Sequence, residues 1–177
     1  MKNIRQLILM SIVGGLIVCL LLVEISIFPL PPANAAIRRA EEAPGQYLYQ
    51  SRQTLKDQHG RSWQAIAFKR ILSDDTTILG LRLVGFPGTV EIARSQDLLL
   101  TNSFNKALSA RDVSEQISAD RAKAEPTVGQ YDMAPVLYAL DPVVPWKLSI
   151  PTTQEELVEL WVPATIVEEW QALLKQP

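Results

Sequence analysis

Apolar residues recur at two different spacings along this chain, and the change between them divides it. From Gln46 to Asn102 the spacing is two. Tyr47, Tyr49 and Ser51 share one side of a stretch ending at Leu55, and Leu48 and Gln50 share the other. Successive strand side chains point to opposite faces, so this alternation predicts a strand. Ser62 to Ile71 sets Trp63, Ala65 and Ala67 against Gln64, Ile66 and Phe68. Apolar residues on both sides predict a strand covered, at least in part, on two faces. Thr77 to Phe86 places Leu79, Leu81 and Leu83 opposite Ile78, Arg82 and Val84. Thr89 to Arg94 and Leu98 to Asn102 complete five candidates. The turns between them carry Asp57 and Gly60, Asp74 and Asp75, Gly85 to Gly88, and Asp97. Short strands joined by short turns predict an antiparallel meander, strongly curved or partly closed into a barrel. Leu83-Val84-Gly85-Phe86-Pro87-Gly88 reads as its architectural corner.

Past Phe104 the pattern weakens. Asn105 to Glu125 is rich in alanine, serine and charge, and Asp112 is placed to cap a short helix starting at Val113. Gly129-Gln130-Tyr131-Asp132 leads into Met133 to Leu140. There Met133, Val136, Leu137 and Leu140 follow the spacing of a short amphipathic helix. Trp146 to Ile150 and Leu157 to Val162 return to strand character, joined by a hairpin or by a helical turn with a Thr152–Glu155 capping box. The end is an amphipathic helix behind Pro163, with Thr165 and Glu168 as a capping box and Ile166, Val167, Trp170, Leu173 and Leu174 in one stripe. The fold class expected is α+β, with a core of Trp63, Phe68, Leu81, Leu83, Phe86, Trp146, Leu148, Trp161 and Trp170.

The first 35 residues read differently. Lys2 and Arg5 precede an apolar run from Leu7, and Ala33-Asn34-Ala35 supplies a small-residue cleavage pattern. This is the make-up of a signal peptide. Residues 7–28 are also long enough to remain as a membrane anchor. Both readings export everything after Ala35. The organisation expected is residues 1–35 as signal or anchor, 36–45 as a flexible lead-in, and 46–177 as one domain.

Charge and residue usage narrow the chemistry. Of 17 basic and 19 acidic residues, Lys2, Arg5 and Glu24 lie in the leader, so the exported part carries a net charge of about −3. That balance argues against nucleic acid as a partner. The only cysteine, Cys19, also lies in the leader, so no disulfide is expected. One histidine, His59, sits in a turn and reads as solvated. No metal and no cofactor are expected. Ser103 and Lys106 match a serine–lysine spacing, but the companion motifs of such hydrolases are absent. Tyr47, Tyr49, Trp63 and Phe86 come from the meander as candidates to line a groove or an apolar cavity, with core packing as the plainer reading. Gln130, Tyr131 and Asp132 complete the candidate partner or ligand surface.

Several short pieces run in a fixed order: Leu48-Tyr49-Gln50-Ser51, Leu55-Lys56-Asp57, Gly60 with Trp63-Gln64, Arg82 to Gly88, Val128 to Asp132, and Ser149-Ile150-Pro151-Thr152. In this order they resemble a domain-of-unknown-function family of small exported cyanobacterial proteins. The resemblance implies a thylakoid lumen or a periplasm as destination and transfers no activity. The function expected is that of a non-catalytic accessory or assembly protein of a membrane complex, such as a photosynthetic one, on its lumenal or periplasmic side. The alternatives are a binder of an apolar small molecule or lipid within the curved sheet, and a hydrolase built on Ser103 and Lys106.

Overall fold

A computed structural model describes residues 37–86, 90–117, 125–154 and 156–177. They belong to one compact unit, Ala35–Pro177. The signal or anchor segment expected over residues 1–35 lies outside the described residues. Among those described, no helix is long and apolar enough to cross a membrane.

The fold is mostly antiparallel β-structure in two open sheets, with a helix at the C-terminus. The strands are β1 (Arg38–Ala43), β2 (Gln46–Lys56), β3 (Ser62–Ile71), β4 (Thr77–Gly85), β5 (Leu98–Asn102), β6 (Ala107–Ala110), β7 (Val128–Asp132), β8 (Trp146–Ile150) and β9 (Val158–Val162). The first sheet runs β1-β2-β3-β4-β7 and the second β6-β5-β8-β9. Two single bridges join their margins, Asp57 with Leu160 and Asp112 with Tyr131. The expected single meander therefore divides. It holds from β2 to β4 and then leaves for the second sheet: of the segment expected as a strand over Thr89 to Arg94, Thr89 lies outside the described residues, and among the described ones the ladder pairing is a single bridge, Ile92 with Thr152. Neighbouring backbone groups there bond across to Pro126, Pro151 and Thr153, so this segment ties connections together instead of extending a sheet.

Three strands lie where the sequence shows no strand pattern. The lead-in expected to be flexible over residues 36–45 contains β1, which pairs with β2 through a turn at Gly45. Gly45 has a φ of 73°, a left-handed conformation that glycine adopts without steric cost. β6 lies in the alanine- and serine-rich region and pairs with β5. β7 contains Gly129 to Asp132 and pairs with β4. The helix expected from Met133 to Leu140 is correspondingly reduced to one turn, α1 (Ala134–Leu137). Asp132 Oδ1 accepts from the Ala134 N–H at 3.0 Å, which starts that turn. Asp112 caps as expected: its Oδ1 accepts from the Ser114 N–H at 3.0 Å, at the start of the 3-10 turn Ser114–Ile117.

The inward sides of the two sheets make the core. Trp63, Leu81 and Leu83 meet Leu98, Leu100, Trp146, Leu148 and Leu160, all essentially inaccessible to water. The last helix, α2 (Ala164–Ala172), adds Val167 and Trp170 to the same core, and Leu173 follows in a 3-10 turn. Gln53 Nε2 donates to Glu169 Oε2 at 2.8 Å and ties this helix to β2. Pro163 occupies the N-cap position without a side-chain hydrogen bond. Thr165 is thereby inside the first turn, and the Thr165–Glu168 capping box does not form. Thr152 and the β8–β9 hairpin follow the hairpin reading, since Ile150 pairs with Val158.

Three expected core residues lie off the inter-sheet core: Phe68, though only 5% exposed, is on the outward side of the first sheet, and two others reach solvent. Trp161 is 58% exposed and Phe86 40% exposed. Trp161 lies between Leu160 and Val162, both buried, so strand alternation points it to solvent. Trp161→Ser is therefore expected to leave urea-unfolding stability within about 0.5 kcal/mol of the unaltered protein.

Candidate functional site: an arginine-rich sheet face

Strand register assembles a surface on the outward side of the first sheet. In one cross-strand row Arg52 lies opposite Ile66, Ile66 opposite Arg82, and Arg82 opposite Gln130. In the next row Gln50 lies opposite Phe68, Phe68 opposite Gly80, and Gly80 opposite Asp132. A third row aligns Leu48, Arg70 and Ile78. The three arginines thus surround Ile66 and Phe68, which are 8% and 5% exposed. Arg38 extends the face at β1, opposite Gln50.

Each guanidinium is held differently. Arg70 forks onto Glu42, with Nε–Oε2 at 2.7 Å and Nη2–Oε1 at 3.1 Å. It also lies 5.7 Å from the centre of the Phe68 ring. Arg82 is half-buried and donates from Nε and Nη2 to a single neutral acceptor, Gln130 Oε1, at 3.2 and 2.7 Å. Burial first, then the charge of Arg70, lowers the Arg82 pKa; Glu42 opposes this and Arg52 adds to it. Among the described residues no carboxylate forms an ion pair with Arg52 or Arg82. A half-buried cation that lacks an anionic partner is unusual, since burying charge is costly without compensation.

A cavity of about 250 Å³ opens beside these rows. Phe68, Ile78, Gly80, Val113 and Gln130 line it, with Arg111 and Asp132 as its charged residues. A Cβ at Gly80 would lie 2.3 Å from Phe68 Cζ, so glycine is what lets the ring lie flat on β4. Gln130 is 4% exposed. Arg82 fixes its carbonyl oxygen, because only an oxygen accepts two guanidinium N–H groups. Its amide N–H₂ consequently has no partner among the described residues. Arg111 Nη2 is 3.8 Å from Asp132 Oδ2.

The residues singled out from the sequence fall into two sets. Tyr49, Trp63 and Tyr131 face the core at 4%, 0% and 0% exposure. They pack the interior and offer no surface. Tyr47 is half-buried, with the Arg39 guanidinium 4.4 Å from its ring centre and 5.8 Å from that of Tyr49. Phe86 lies apart at the end of β4. Gln130 and Asp132 belong to the outward face, separated from Tyr131 by the alternation of β7. Arg52, Arg70 and Arg82 are absent from the sequence-based set, because isolated arginines on three strands carry no local signal. Lys106 donates from Nζ to the Ala139 carbonyl and sits 5.9 Å from the Trp146 ring centre. Its amine is thus directed to a structural bond. Among the described residues no three His, Asp or Glu side chains gather as metal ligands.

His59 is part of an inter-sheet clasp. Its Nε2 lies 2.9 Å from Glu156 Oε1. Gln58 donates to the Leu157 carbonyl at 2.8 Å and accepts from the Glu159 N–H at 2.9 Å. Asp57 anchors the turn: its carboxylate accepts from the His59 N–H at 2.9 Å, the Arg61 N–H at 2.8 Å, Arg61 Nε at 2.7 Å and Trp63 Nε1 at 3.2 Å. Burial raises the Asp57 pKa, but the hydrogen bonds from Arg61, Trp63 and His59 outweigh it and hold the carboxyl below its ordinary range.

A family model for proteins of unknown function, DUF3122, matches residues 35–173. The chain belongs to the DUF3122 family. The match spans the nine strands of the described residues and reaches Leu173, so the clasp, the arginine-rich face and α2 are all parts of the DUF3122 domain. No curated protein and no solved structure matches the chain.

Proposed function

We propose that this DUF3122 protein is an exported, non-catalytic accessory or assembly factor of a membrane complex, acting on the lumenal or periplasmic side. The observation that carries the reading is a set of exposed apolar side chains at neighbouring segments. Phe104, Tyr138 and Val143 are 74%, 72% and 81% exposed. Lys106 ties the β5–β6 turn to Ala139, which brings the segments of Phe104 and Tyr138 together. Large apolar residues grouped on a surface favour contact with another macromolecule. The interior supports the same reading from the other side. Trp63, Trp146 and Trp170 are buried in the core between the sheets, which favours a packed interior over an apolar ligand there. Export rests on the leader pattern, and the family match that begins at residue 35 agrees with a functional unit starting there.

The test is affinity recovery of the C-terminally tagged full chain from mildly solubilised membranes. A membrane complex is expected to co-purify in stoichiometric amount. The triple variant Phe104→Ser, Tyr138→Ser, Val143→Ser is expected to lower that recovery at least tenfold without a change in thermal unfolding. If the unaltered chain recovers no complex, the accessory role falls. If the triple variant recovers the complex equally well, this surface is not where it docks.

A further inference from the structure

The arginine-rich face has features of a built ligand site that the accessory role does not require. On this face and in its cavity four guanidinia, from Arg52, Arg70, Arg82 and Arg111, stand against two carboxylates, Glu42 and Asp132. Among the described residues two positive charges are thus left without an anionic counterpart, on a chain whose total charge is −2. Guanidinium groups present paired N–H donors that match phosphate oxygens. Gln130 supplies the second element. It is 4% exposed, its carbonyl is committed to Arg82, and it is one of the residues that line the cavity. Phe68, Ile78 and Val113 supply the third, an apolar wall beside those donors.

We propose that this face binds a phosphomonoester carried on a compact apolar body. The phosphate lies over Ile66, between Arg52, Arg70 and Arg82. The body rests on Phe68 in the cavity, and the Gln130 amide donates to the ester oxygen that joins body and phosphate. Charge complementarity selects a dianion over a single carboxylate, since one carboxylate would leave one of the two positive charges unmatched. The cavity of about 250 Å³ limits the body to a single ring or a short chain. The group can belong to a soluble ester or to a phospholipid headgroup. The proposal stands on the geometry of this face, so it survives if the accessory role fails.

The probes are phenyl phosphate, inorganic phosphate and acetate, titrated at constant ionic strength into the full chain in non-ionic micelles. The readouts are the Arg82 Nε–H and Gln130 side-chain amide NMR signals. Phenyl phosphate is expected to shift both signals saturably, and at least tenfold more tightly than inorganic phosphate. Arg82→Gln is expected to lose at least tenfold in affinity. Arg52→Gln, at an exposed position where folding is undisturbed, is expected to weaken binding severalfold. Shifts that do not saturate, that acetate reproduces, or that persist unchanged in Arg52→Gln overturn the proposal. Co-sedimentation with phosphatidylcholine vesicles, with and without phosphatidic acid, separates the sources. Arg52-dependent gain with phosphatidic acid assigns the group to a lipid, and phenyl phosphate binding without that gain assigns it to a soluble ester. Failure of both arms overturns the site.

Discussion

Trp170→Ala is expected to destabilise the protein by about 4 kcal/mol, the range found when a large buried aromatic is truncated. Trp170 is 1% exposed and belongs to the core formed between the two sheets. Its loss removes the main apolar anchor of α2 and opens a void among side chains that cannot collapse into it. The tie between Gln53 and Glu169 remains, but a part-buried hydrogen bond contributes only about 1 kcal/mol. For a domain of this size the midpoint of thermal unfolding is expected to fall by roughly 10 °C or more. Scanning calorimetry and urea titration of the purified chain check both numbers. A fall of under about 1 kcal/mol would mean that α2 does not complete the core. The contrast with Trp161→Ser makes the measurement sharp, since both tryptophans carry the same apolar bulk and only one is buried.

Asp57→Ala is expected to cost about 3 kcal/mol and to change the response to acid. The side chain is fully buried and accepts four hydrogen bonds at the point where β2 meets β9. Alanine leaves the Trp63 indole N–H buried without a partner, and an orphaned buried donor costs about 1–3 kcal/mol. Two further N–H groups of the turn also lose their acceptor. The sign of the pH effect follows from the lowered folded-state pKa of Asp57. A carboxyl with a depressed folded pKa contributes its full stabilisation above its unfolded pKa of about 3.9. That contribution is lost as pH falls through the folded value. The stability difference between the unaltered protein and Asp57→Ala is therefore expected to be constant from neutral pH to about pH 5 and to shrink below about pH 4. Urea titrations at pH 7, 5, 4 and 3 give the difference directly. A difference that grows on acidification would contradict the assignment.

Much of the strand content was legible because it is local. β2, β3 and β4 begin and end within a residue or so of the alternating stretches, and so do β8 and β9. Each is at least five residues long, carries large side chains on its buried positions, and is bounded by turn residues. The C-terminal helix was legible for the same reason, its stripe of Val167, Trp170 and Leu173 being buried as a unit. The strands that escaped notice lack one of these marks. β1 reads Arg-Arg-Ala-Glu-Glu-Ala, with hardly an apolar residue. β6 has four residues. β7 carries Gly129 among turn-forming residues, and only pairing with β4 gives it strand form.

The candidate site was much less legible. Arg82 and Gln130 are 48 positions apart in sequence, and their contact exists only because β7 crosses back to pair with β4. The Arg52–Ile66–Arg82–Gln130 row draws on four strands, and no window along the chain contains it. Gln130 and Asp132 drew notice from the sequence, but as neighbours of Tyr131, which alternation sends to the opposite side.

Read alone, the amino-acid order therefore determined which segments alternate, which stripe is helical, where the apolar leader lies and which residue types are scarce. These are short-range properties, set by side-chain period and backbone preference over a few residues. The tertiary structure decided the division into two sheets, the outward turn of Trp161, the filling of the interior by three tryptophans, and the gathering of three arginines around Ile66 and Phe68. Each of those depends on which distant strands pair and in what register. A shift of one residue in that register would send every side chain of a strand to its other face.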